Sequence, residues 1–245
     1  MTDAHASKSH VKIRAHGVTH VGLVRNQNED SLLIDEPHAV FAVADGVGGM
    51  PGGDVASASA VAAVKSALAR DATTALSDLR RLADEAHRAV RKAADAFPGD
   101  GIATTFTLAA FSGDRVRVVH IGDSFAILVR DGRARAITRE HNVENERADV
   151  ESLSPYPSRY RYALTRVLGQ LEPLVADVFE ETIRPGDRLV VATDGLTDMV
   201  ETQEIATICA DADDAKTATQ ALLQAALDSG GHDNVTLAVV FVDAV

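Results

Sequence analysis

The residues of this chain best suited to chemistry are aspartates that directly follow apolar, strand-like segments. Asp45 ends such a segment at 40–44 and leads into a glycine-rich turn. The same pattern recurs downstream, where an apolar segment ends beside a small or amide residue and an aspartate. One aspartate of this kind is usually a solvated turn residue, because Asp-Gly is a common turn, but the ordered set is far more specific. The further aspartates of the set are Asp123, Asp194, with Asp198 one helical turn after it, and Asp233.

Two more carboxylates, Glu29 and Asp30, stand at the entrance of a short strand predicted at 31–34. If these strands lie in adjacent sheets, their ends bring all of the acidic side chains into one cleft. Carboxylates that share a cleft need counter-cations or strongly shifted pKa values. Their oxygens suit hard divalent ions such as Mg²⁺ or Mn²⁺. Two such ions about 3.5–4 Å apart would activate a water and polarise a phosphoryl oxygen.

The turn after Asp45 is rich in glycine. Without Cβ atoms its backbone can close tightly around an ion or a phosphate. Asp54 or Ser57 is expected to cap the helix that follows the turn. The glycines are Gly46, Gly48, Gly49, Gly52 and Gly53.

Arg25 stands four residues before Glu29 in the same polar loop. An isolated arginine is most often a surface residue. Beside a cluster of carboxylates and metal ions, however, its planar fork could bind two oxygens of a phosphate. Arg25 is therefore the candidate for substrate binding.

The histidines offer no competing site. His16 and His20 are four residues apart, but the residues between them indicate a strand or a turn rather than a helix. The sequence contains no HExxH, paired CxxC or GxxxxGK(S/T) motif. Zinc hydrolysis and P-loop nucleotide chemistry are therefore disfavoured.

Composition narrows the class of protein. Of the 245 residues, 46% are hydrophobic and 24% are charged, as is typical of a soluble globular protein. Acidic residues outnumber basic ones by 36 to 24, and the net charge of −12 argues against general binding to nucleic acid or anionic membranes. The single cysteine, Cys209, is expected to be a small buried side chain. Because the sequence has neither an apolar run of roughly 20 residues nor a signal peptide, we expect a cytoplasmic protein.

The order of the predicted elements indicates the class of fold. Residues 1–10 are expected to form a flexible tail and 11–245 a single domain, in which 138–168 is irregular with one helix. Strands and helices do not alternate regularly, which favours an α+β layered domain with antiparallel sheets over a doubly wound parallel sheet. The predicted strands lie at 16–20, 31–34, 39–44, 104–111, 116–121, 125–130, 134–137, 175–183, 188–192 and 234–242, and the predicted helices at 54–69, 76–97, 202–210 and 213–229.

Several motifs together resemble a known family. They are VRNQNED at 24–30, VADGVGG at 43–49, VHIGDS at 119–124, ATDGLTDMV at 192–200 and GGHDNVT at 230–236. In this order and spacing they resemble the metal-dependent serine/threonine protein phosphatases of type 2C, particularly the small bacterial members, over about residues 18–242. The resemblance implies a four-layer α-β-β-α sandwich, in which helix pairs flank two antiparallel β-sheets and the metals lie in a cleft at one end.

The resemblance also implies roles for the acidic residues. By position, Asp45 would bridge the two central metal ions, and the carbonyl of Gly46 would bind the second of them. Asp194 and Asp233 would complete the shell of the first ion. Glu29 would serve the second ion, directly or through water.

The remaining roles lie around this centre. Asp123 and Asp198, with Asp194, match the position of a third metal in bacterial relatives. Asp30 would hydrogen-bond to a metal-bound water, and Arg25 matches the phosphate-binding arginine. The implied cofactors are Mn²⁺ or Mg²⁺, as two ions or three, because the ligands are all oxygen and both ions accept them.

The function that the resemblance implies is a phosphoprotein phosphatase that hydrolyses phosphoserine and phosphothreonine through a metal-activated water. Its partners would be phosphorylated proteins, among them a Ser/Thr kinase or the targets of that kinase. We expect a monomer that binds neither nucleic acid nor membrane. The alternatives are a non-catalytic binding or signalling module on the same fold and a relative that resets one phosphorylated regulatory partner.

Three features depart from the family pattern. Val47 stands where some relatives have a histidine, so the proton for the leaving group would come from water or another group. Phe125 replaces the arginine that usually follows Gly-Asp-Ser. Residues 138–168 correspond to the flap beside the active site and are called the flap segment below. This segment keeps TREH and LTRVLG, while its YPSRYRY stretch at 156–162 bears on substrate choice.

Overall fold

The computed structural model describes residues 11–47, 52–97, 101–148, 160–171 and 173–245. The predicted tail at 1–10, Gly48 and Gly49 of the turn, and most of the YPSRYRY stretch lie outside these residues. The described strands are β1 (Lys12–His20), β2 (Asp30–Asp35), β3 (Val40–Asp45), β4 (Phe106–Ser112), β5 (Arg115–Ile121), β6 (Phe125–Arg130), β7 (Arg133–Ala136), β8 (Asp177–Thr182), β9 (Arg188–Ala192) and β10 (Val235–Ala244). The described helices are α1 (Gly53–Ser77), α2 (Leu79–Ala94), α3 (Val143–Ala148), α4 (Asp194–Thr197), α5 (Thr202–Asp211) and α6 (Ala215–Asp228).

The described strands form two five-stranded sheets in which neighbouring strands are antiparallel. One sheet has the order β1-β10-β9-β6-β7, and the other has the order β2-β3-β4-β5-β8. Short turns join β2 to β3, β4 to β5 and β6 to β7, as antiparallel neighbours allow. The antiparallel sheets predicted from the sequence are confirmed.

Three apolar clusters define the layers. Between the sheets, residues such as Phe41 pack with residues such as Val191 of the facing sheet. The outer face of the β2–β8 sheet packs on α1 and α2 through a cluster that includes Leu108. The outer face of the other sheet packs on α5 and α6, where Cys209 is buried as predicted. Each large apolar side chain buried in this way contributes about 1.5–3 kcal/mol to the stability of the fold. The three clusters together confirm the four-layer α-β-β-α sandwich.

The start of α1 differs from the prediction. The helix begins after Gly52, whose φ of +94° is left-handed, and a Cβ there would lie 2.6 Å from the Phe97 ring. Glycine adopts this conformation at little cost, whereas other residues rarely do. The prediction that Asp54 or Ser57 caps α1 is wrong. Asp54 lies in the first turn, and the Ser57 hydroxyl donates a hydrogen bond to the carbonyl of Glu29 at 2.6 Å.

The helix predicted at 76–97 is divided in the structure. α1 reaches Ser77 with a kink at Asp71, whose backbone is not helical (φ −165°, ψ 94°). α2 starts at Leu79 because the side chain of Asp78 accepts hydrogen bonds from the backbone N–H groups of Arg80 and Arg81. An aspartate at this position satisfies donors that the first turn of a helix leaves without partners. The apolar residues keep helical spacing on both sides of the break, so the spacing alone did not reveal it.

The other elements lie close to their predicted positions. β1 is longer than expected and begins at Lys12, and the short helix α4 was not predicted. Within the flap segment, α3 is the one helix among the described residues, as expected. In the described part of the chain, no helix has both the length and the apolar character needed to cross a membrane.

The topology brings the predicted acidic residues to one end of the sandwich. Asp30 at the start of β2 is paired in register with Asp45 at the end of β3. In the facing sheet, Asp194 follows the end of β9, and Asp233 precedes its neighbour β10. The β5–β6 turn, which carries Asp123, reaches the same end because β6 starts opposite the last residue of β9.

Leu108→Ala is expected to lower the free energy of unfolding by about 2–5 kcal/mol, because it would leave a cavity between β4 and the α1–α2 pair. Leu108 is fully buried in that layer. Leu171→Ala removes the same atoms from a side chain that is 84% exposed, and its effect is expected to stay within about 0.5 kcal/mol. Urea unfolding of both variants measures these changes, and equal losses would contradict the layered core.

Candidate metal-binding active site

A cleft with a volume of about 390 Å³ lies at the end of the sandwich where the acidic residues gather. Its lining includes every site residue predicted from the sequence except Asp30 and Asp198. The lining residues are Arg25, Glu29, Asp45, Gly46, Val47, Asp123, Leu164, Asp194, Asp233 and Asn234.

Asp30 lies behind the cleft lining and is nearly buried, at 9% exposure. Its Oδ2 accepts a hydrogen bond from the Thr193 hydroxyl at 3.0 Å. Among the described residues, neither its Oδ1 nor the buried Oδ1 of Asp194 has a hydrogen-bond partner. Buried polar atoms are nearly always satisfied by protein, water or an ion. These two oxygens can therefore accept a water or bind an ion.

Burial raises the pKa values of this cluster. It raises the pKa of Asp30 to about 7, that of Asp123 to about 7 and that of Asp194 to about 6. Burial, followed by the charges of Asp30 and Asp194, raises the pKa of Asp45 well above its usual value. In a low-dielectric site, carboxylates cannot all be ionised unless cations balance them.

The cluster fits divalent ions that keep much of their water. In the ranges that the structure describes, no three His, Cys, Asp or Glu side chains are arranged to hold one ion by themselves. Mg²⁺ usually binds through one or two carboxylates and keeps several waters. The unpartnered oxygens of Asp30 and Asp194, with the raised pKa values around them, suit such a partly hydrated ion.

Glycine is required at position 46 for a close approach of two backbones. A Cβ on Gly46 would lie 2.3 Å from the carbonyl oxygen of Gly53, at the start of α1. The Gly46 N–H donates to the carbonyl of Glu29 at 3.1 Å, which ties the end of β3 to the loop before β2. A Cβ on Gly53 would lie 3.0 Å from the Glu29 carboxylate. Because neither position carries a Cβ atom, the first residue of α1 can pack closely against both the end of β3 and the Glu29 side chain.

Asn234 is a site residue that the sequence reasoning did not assign. Its side-chain N–H₂ donates to the carbonyls of Val21 and Gln27, each at 2.9 Å. Its side-chain oxygen accepts from the Glu29 N–H at 2.8 Å. Asn234 therefore fixes the loop that carries both Arg25 and Glu29. The signal for it was an amide residue directly after a candidate ligand at the start of a strand.

Two threonines of the stretch before β4 hold Asp45 through its backbone. The Asp45 N–H donates to the Thr105 hydroxyl at 3.0 Å, and the Thr104 hydroxyl donates to the Asp45 carbonyl at 2.8 Å. The Thr105 oxygen is also 2.8 Å from the hydroxyl of Ser124, which follows Asp123. These buried hydroxyls fix the two acidic turns relative to each other without adding charge.

A second acidic group extends from Asp194. The Asp198 N–H donates to the Asp194 carbonyl at 2.8 Å, at the end of α4. Burial and then the charge of Asp233 raise the pKa of Asp198. Burial and then the charge of Asp198 raise the pKa of Glu140 in the flap segment. Glu140 belongs to the TREH motif, which the sequence reasoning noted without giving this residue a role.

Arg25 lies at the mouth of the cleft. Its Nη2 donates to Oδ2 of Asp233 at 2.6 Å, and the two side chains are 44% and 37% exposed. A partly exposed ion pair of this kind contributes only about 0–1 kcal/mol. Another anion can therefore replace Asp233 as the partner of the guanidinium, which lies beside the acidic cluster.

The sequence profile of the protein phosphatase 2C family matches residues 23–230. This chain belongs to that family. The serine/threonine protein phosphatase PstP of Mycobacterium tuberculosis is 34% identical over 231 residues, which are 90% of this chain and 43% of PstP. The chain thus spans less than half the length of that relative.

Solved structures of other protein phosphatase 2C relatives share the fold. The serine/threonine phosphatase of S. agalactiae superposes with a TM-score of 0.84 at 29% identity, over 95% of this chain and 100% of the other. The catalytic domain of PstP, in complex with two manganese ions, superposes with a TM-score of 0.80 at 30% identity, over 94% of this chain and 98% of the other. The fold class implied by the sequence motifs is confirmed by these likenesses.

For this member of the protein phosphatase 2C family, the raised pKa values predict how the metal-free protein responds to pH. Asp30 and Asp123 have pKa values of about 7 in the folded state, well above the value of about 4 for an unfolded aspartate. From about pH 6.5 to 8.5 these two carboxyl groups lose their protons in the folded state, whereas in the unfolded state they are already deprotonated. The free energy of unfolding is therefore expected to fall as the pH rises.

Urea unfolding in the presence of EDTA measures this fall. Saturating Mn²⁺ is expected to abolish it, because a divalent ion favours the deprotonated carboxylates. Asp30→Asn removes one of the groups with a raised pKa, so its metal-free form should show a smaller fall. A metal-free stability that rises over the same pH window would contradict the protonation described for the cluster.

Proposed function

We propose that this chain is a metal-dependent phosphatase that hydrolyses phosphoserine and phosphothreonine in proteins, with residues 11–245 as its single catalytic domain. The observation that carries the proposal is the cluster of buried carboxylates in and directly behind the cleft that Arg25 lines, with unpartnered oxygens on Asp30 and Asp194. Cations are needed to balance these carboxylates once they are deprotonated, and a phosphate monoester binds both to cations and to an arginine.

The proposed cofactors are Mn²⁺ or Mg²⁺, as two ions or three. The two manganese ions in the PstP catalytic domain support the lower number. Bound ions of this kind activate a water for attack on phosphorus and stabilise charge on the phosphoryl oxygens. The residues that would hold them, directly or through bound water, are Asp45, the Gly46 carbonyl, Asp194, Asp233 and Glu29 for the two central ions, and Asp123 and Asp198, with Asp194, for the third.

Other residues of the chain would position the phosphate and a water. The guanidinium of Arg25 has five N–H donors in a planar fork. Its contact with Asp233 involves one nitrogen, so the fork offers further N–H groups to two phosphate oxygens. The unpartnered Oδ1 of Asp30 would accept a hydrogen bond from a water in the cleft and so orient that water.

The cleft favours a direct attack by water over a covalent route. Cys209 is buried in α5, outside the cleft lining, and burial raises the pKa of its thiol to about 12. A nucleophilic cysteine instead needs a low pKa and access to the substrate. Val47 and Leu164 line the cleft and carry no proton donor. We therefore expect the leaving oxygen of serine or threonine to take its proton from water or from another group of the cleft.

The proposal extends to a monomeric cytoplasmic enzyme that opposes a bacterial Ser/Thr kinase. The name of the mycobacterial relative, a serine/threonine protein phosphatase, supports phosphoprotein substrates. A non-catalytic module on the same fold is the competing function. It would have no need to keep several buried carboxylates that repel one another, so the intact cluster favours the enzyme.

Metal-stripped protein is expected to be inactive on p-nitrophenyl phosphate and on a phosphothreonine peptide, and to regain activity with millimolar Mn²⁺ or Mg²⁺. Asp194→Asn is expected to lower the restored kcat/KM by at least about 100-fold. Replacing a residue that merely supports a ligand costs about 10–100-fold, and loss of a ligand itself should cost more. Steady-state kinetics with each metal measure the effect.

Asp243→Asn is the matched control. Its carboxylate pairs with Arg14 at the other end of β10, so this variant is expected to keep full activity. If the folded protein hydrolyses neither substrate at millimolar Mn²⁺, the phosphatase is refuted and a binding module is favoured.

Arg25→Lys is expected to lower kcat/KM for the phosphopeptide by about tenfold or more. Lysine keeps the charge but cannot form two parallel hydrogen bonds to a phosphate, and one charge-assisted bond contributes about 1.5–3 kcal/mol. Arg14→Lys changes the same residue type in the ion pair with Asp243 and should have no effect on these kinetics. Equal kinetics for the two variants would show that Arg25 does not bind the phosphate.

A further inference from the structure

The turn that carries Asp123 is held by one residue of the flap segment. The Gly122 carbonyl accepts from the backbone N–H of His141 at 2.7 Å, and the Gly122 N–H donates to Nδ1 of the same histidine at 3.1 Å. Gly122 has a φ of +105°, and a Cβ there would lie 2.6 Å from Cβ of Thr105. The turn is therefore enclosed between Thr105 on one side and His141 on the other.

The ring of His141 is buried in a defined tautomer. Because Nδ1 accepts from the Gly122 N–H, the ring proton lies on Nε2, which is 3.2 Å from Oδ2 of Asp177. Nη1 of Arg166 is 3.3 Å from Nε2 and donates to the other oxygen of Asp177 at 3.1 Å. Burial lowers the pKa of His141, although the hydrogen bond to Asp177 opposes this. The neighbouring ring of His120, with its centroid 4.7 Å away, is also neutral because burial lowers its pKa to about 3. Near neutral pH, Nδ1 thus stays free to accept from Gly122.

The same histidine connects to the rest of the flap segment. Oδ1 of Asp177 accepts from Nη1 of Arg166 at 3.1 Å, and Nε of Arg166 pairs with an acidic side chain of α3 at 2.7 Å. The His141 carbonyl accepts from the Thr165 N–H at 2.9 Å, next to Leu164 in the cleft lining. His141 is therefore the point where the flap network meets the turn that carries an acidic site residue.

We propose that His141 is a positioning residue whose Nδ1 fixes the Gly122 backbone and thereby holds the Asp123 carboxylate in place for a metal ion. This inference rests on the proposed function, because it takes Asp123 to be a metal ligand. His141 lies outside the cleft lining and acts through Gly122. Residues that orient a metal ligand in this way typically change metal affinity or activity by about 10–100-fold when they are replaced.

Two variants separate the contacts of the ring. In His141→Asn the side-chain oxygen can take the place of Nδ1 and accept from Gly122, while the contact with Asp177 is lost. In His141→Gln the longer amide can reach Asp177, but the Gly122 N–H loses its acceptor. Titration calorimetry of metal-stripped protein with Mn²⁺ should show that one Mn²⁺ ion binds at least about tenfold more weakly to the Gln variant than to the unsubstituted protein. The Asn variant should bind Mn²⁺ much as the unsubstituted protein does.

Amide hydrogen exchange gives a readout at the contact itself. Exchange of the Gly122 N–H is expected to be faster in His141→Gln than in His141→Asn, because only the Gln variant leaves this donor without an acceptor. His87→Gln is the matched control, since Nδ1 of His87 accepts from the N–H of Gly169 at 3.2 Å and no acidic site residue follows that glycine. Its Mn²⁺ affinity should not change.

Equal Mn²⁺ affinities in the Asn and Gln variants would overturn the proposal, whether both are normal or both are weakened, and so would the reverse order. A further measurement needs no variant. Nitrogen-15 spectra of the metal-free protein at about pH 7 should show His141 with its proton on Nε2, and a proton on Nδ1 would also overturn the proposal.

The outcomes for His141 and for the phosphatase can be told apart. If Mn²⁺ binding follows the expected order but no phosphopeptide is hydrolysed, the proposed function fails and the positioning role stands. If hydrolysis is normal but the order of Mn²⁺ affinities is not as expected, the positioning role fails alone.

Discussion

The constraint on which this structure depends is the burial of several carboxylates in one place. Such a group is unfavourable unless protons or cations balance it. The fold brings the group together because strands of both sheets have an end at the same place, where Asp45 is the last residue of β3, Asp194 follows β9 and Asp233 precedes β10. The close-packed layer between the sheets resists the repulsion among these side chains, because protein interiors have low compressibility. The acidic cluster can therefore stay assembled before any ion arrives.

Apart from Arg25, which pairs with Asp233, the groups that hold the acidic residues in place are neutral. Thr193 donates to the side chain of Asp30, Thr105 accepts from the backbone of Asp45, and Asn234 fixes the loop before β2. A lysine or arginine in these positions would balance the negative charge and so reduce the need for metal ions. Of the residues that line the cleft in the described part of the chain, Arg25 alone is basic. These neutral donors and acceptors thus fix the geometry of the site and leave its negative charge for cations to balance.

The sequence predicted the parts of the structure that depend on local pattern. Apolar segments bounded by turn residues gave most strands to within a few residues, and those that end beside Asp identified the acidic cluster. The N-cap at Gly52 could not be predicted in the same way, because its glycine is required by contact with the Phe97 ring, 45 residues away along the chain. Asn234 was missed for a similar reason, since its partners lie more than 200 residues earlier. Contacts between distant segments carry no spacing signal in a single sequence.

With a net charge of −12, the molecule as a whole repels a phosphorylated substrate, which is itself an anion. At physiological ionic strength, however, exposed charges more than about 8 Å apart are largely screened. The repulsion from the rest of the surface is therefore weak at the point of binding, and the charges inside the cleft decide the outcome. Cations bound to the carboxylates would reverse the local sign, and the guanidinium of Arg25 adds a positive group at the mouth. The acidic surplus that argues against nucleic acid as a partner is thus compatible with a phosphate ligand, because the buried part of that surplus is what attracts the metal ions.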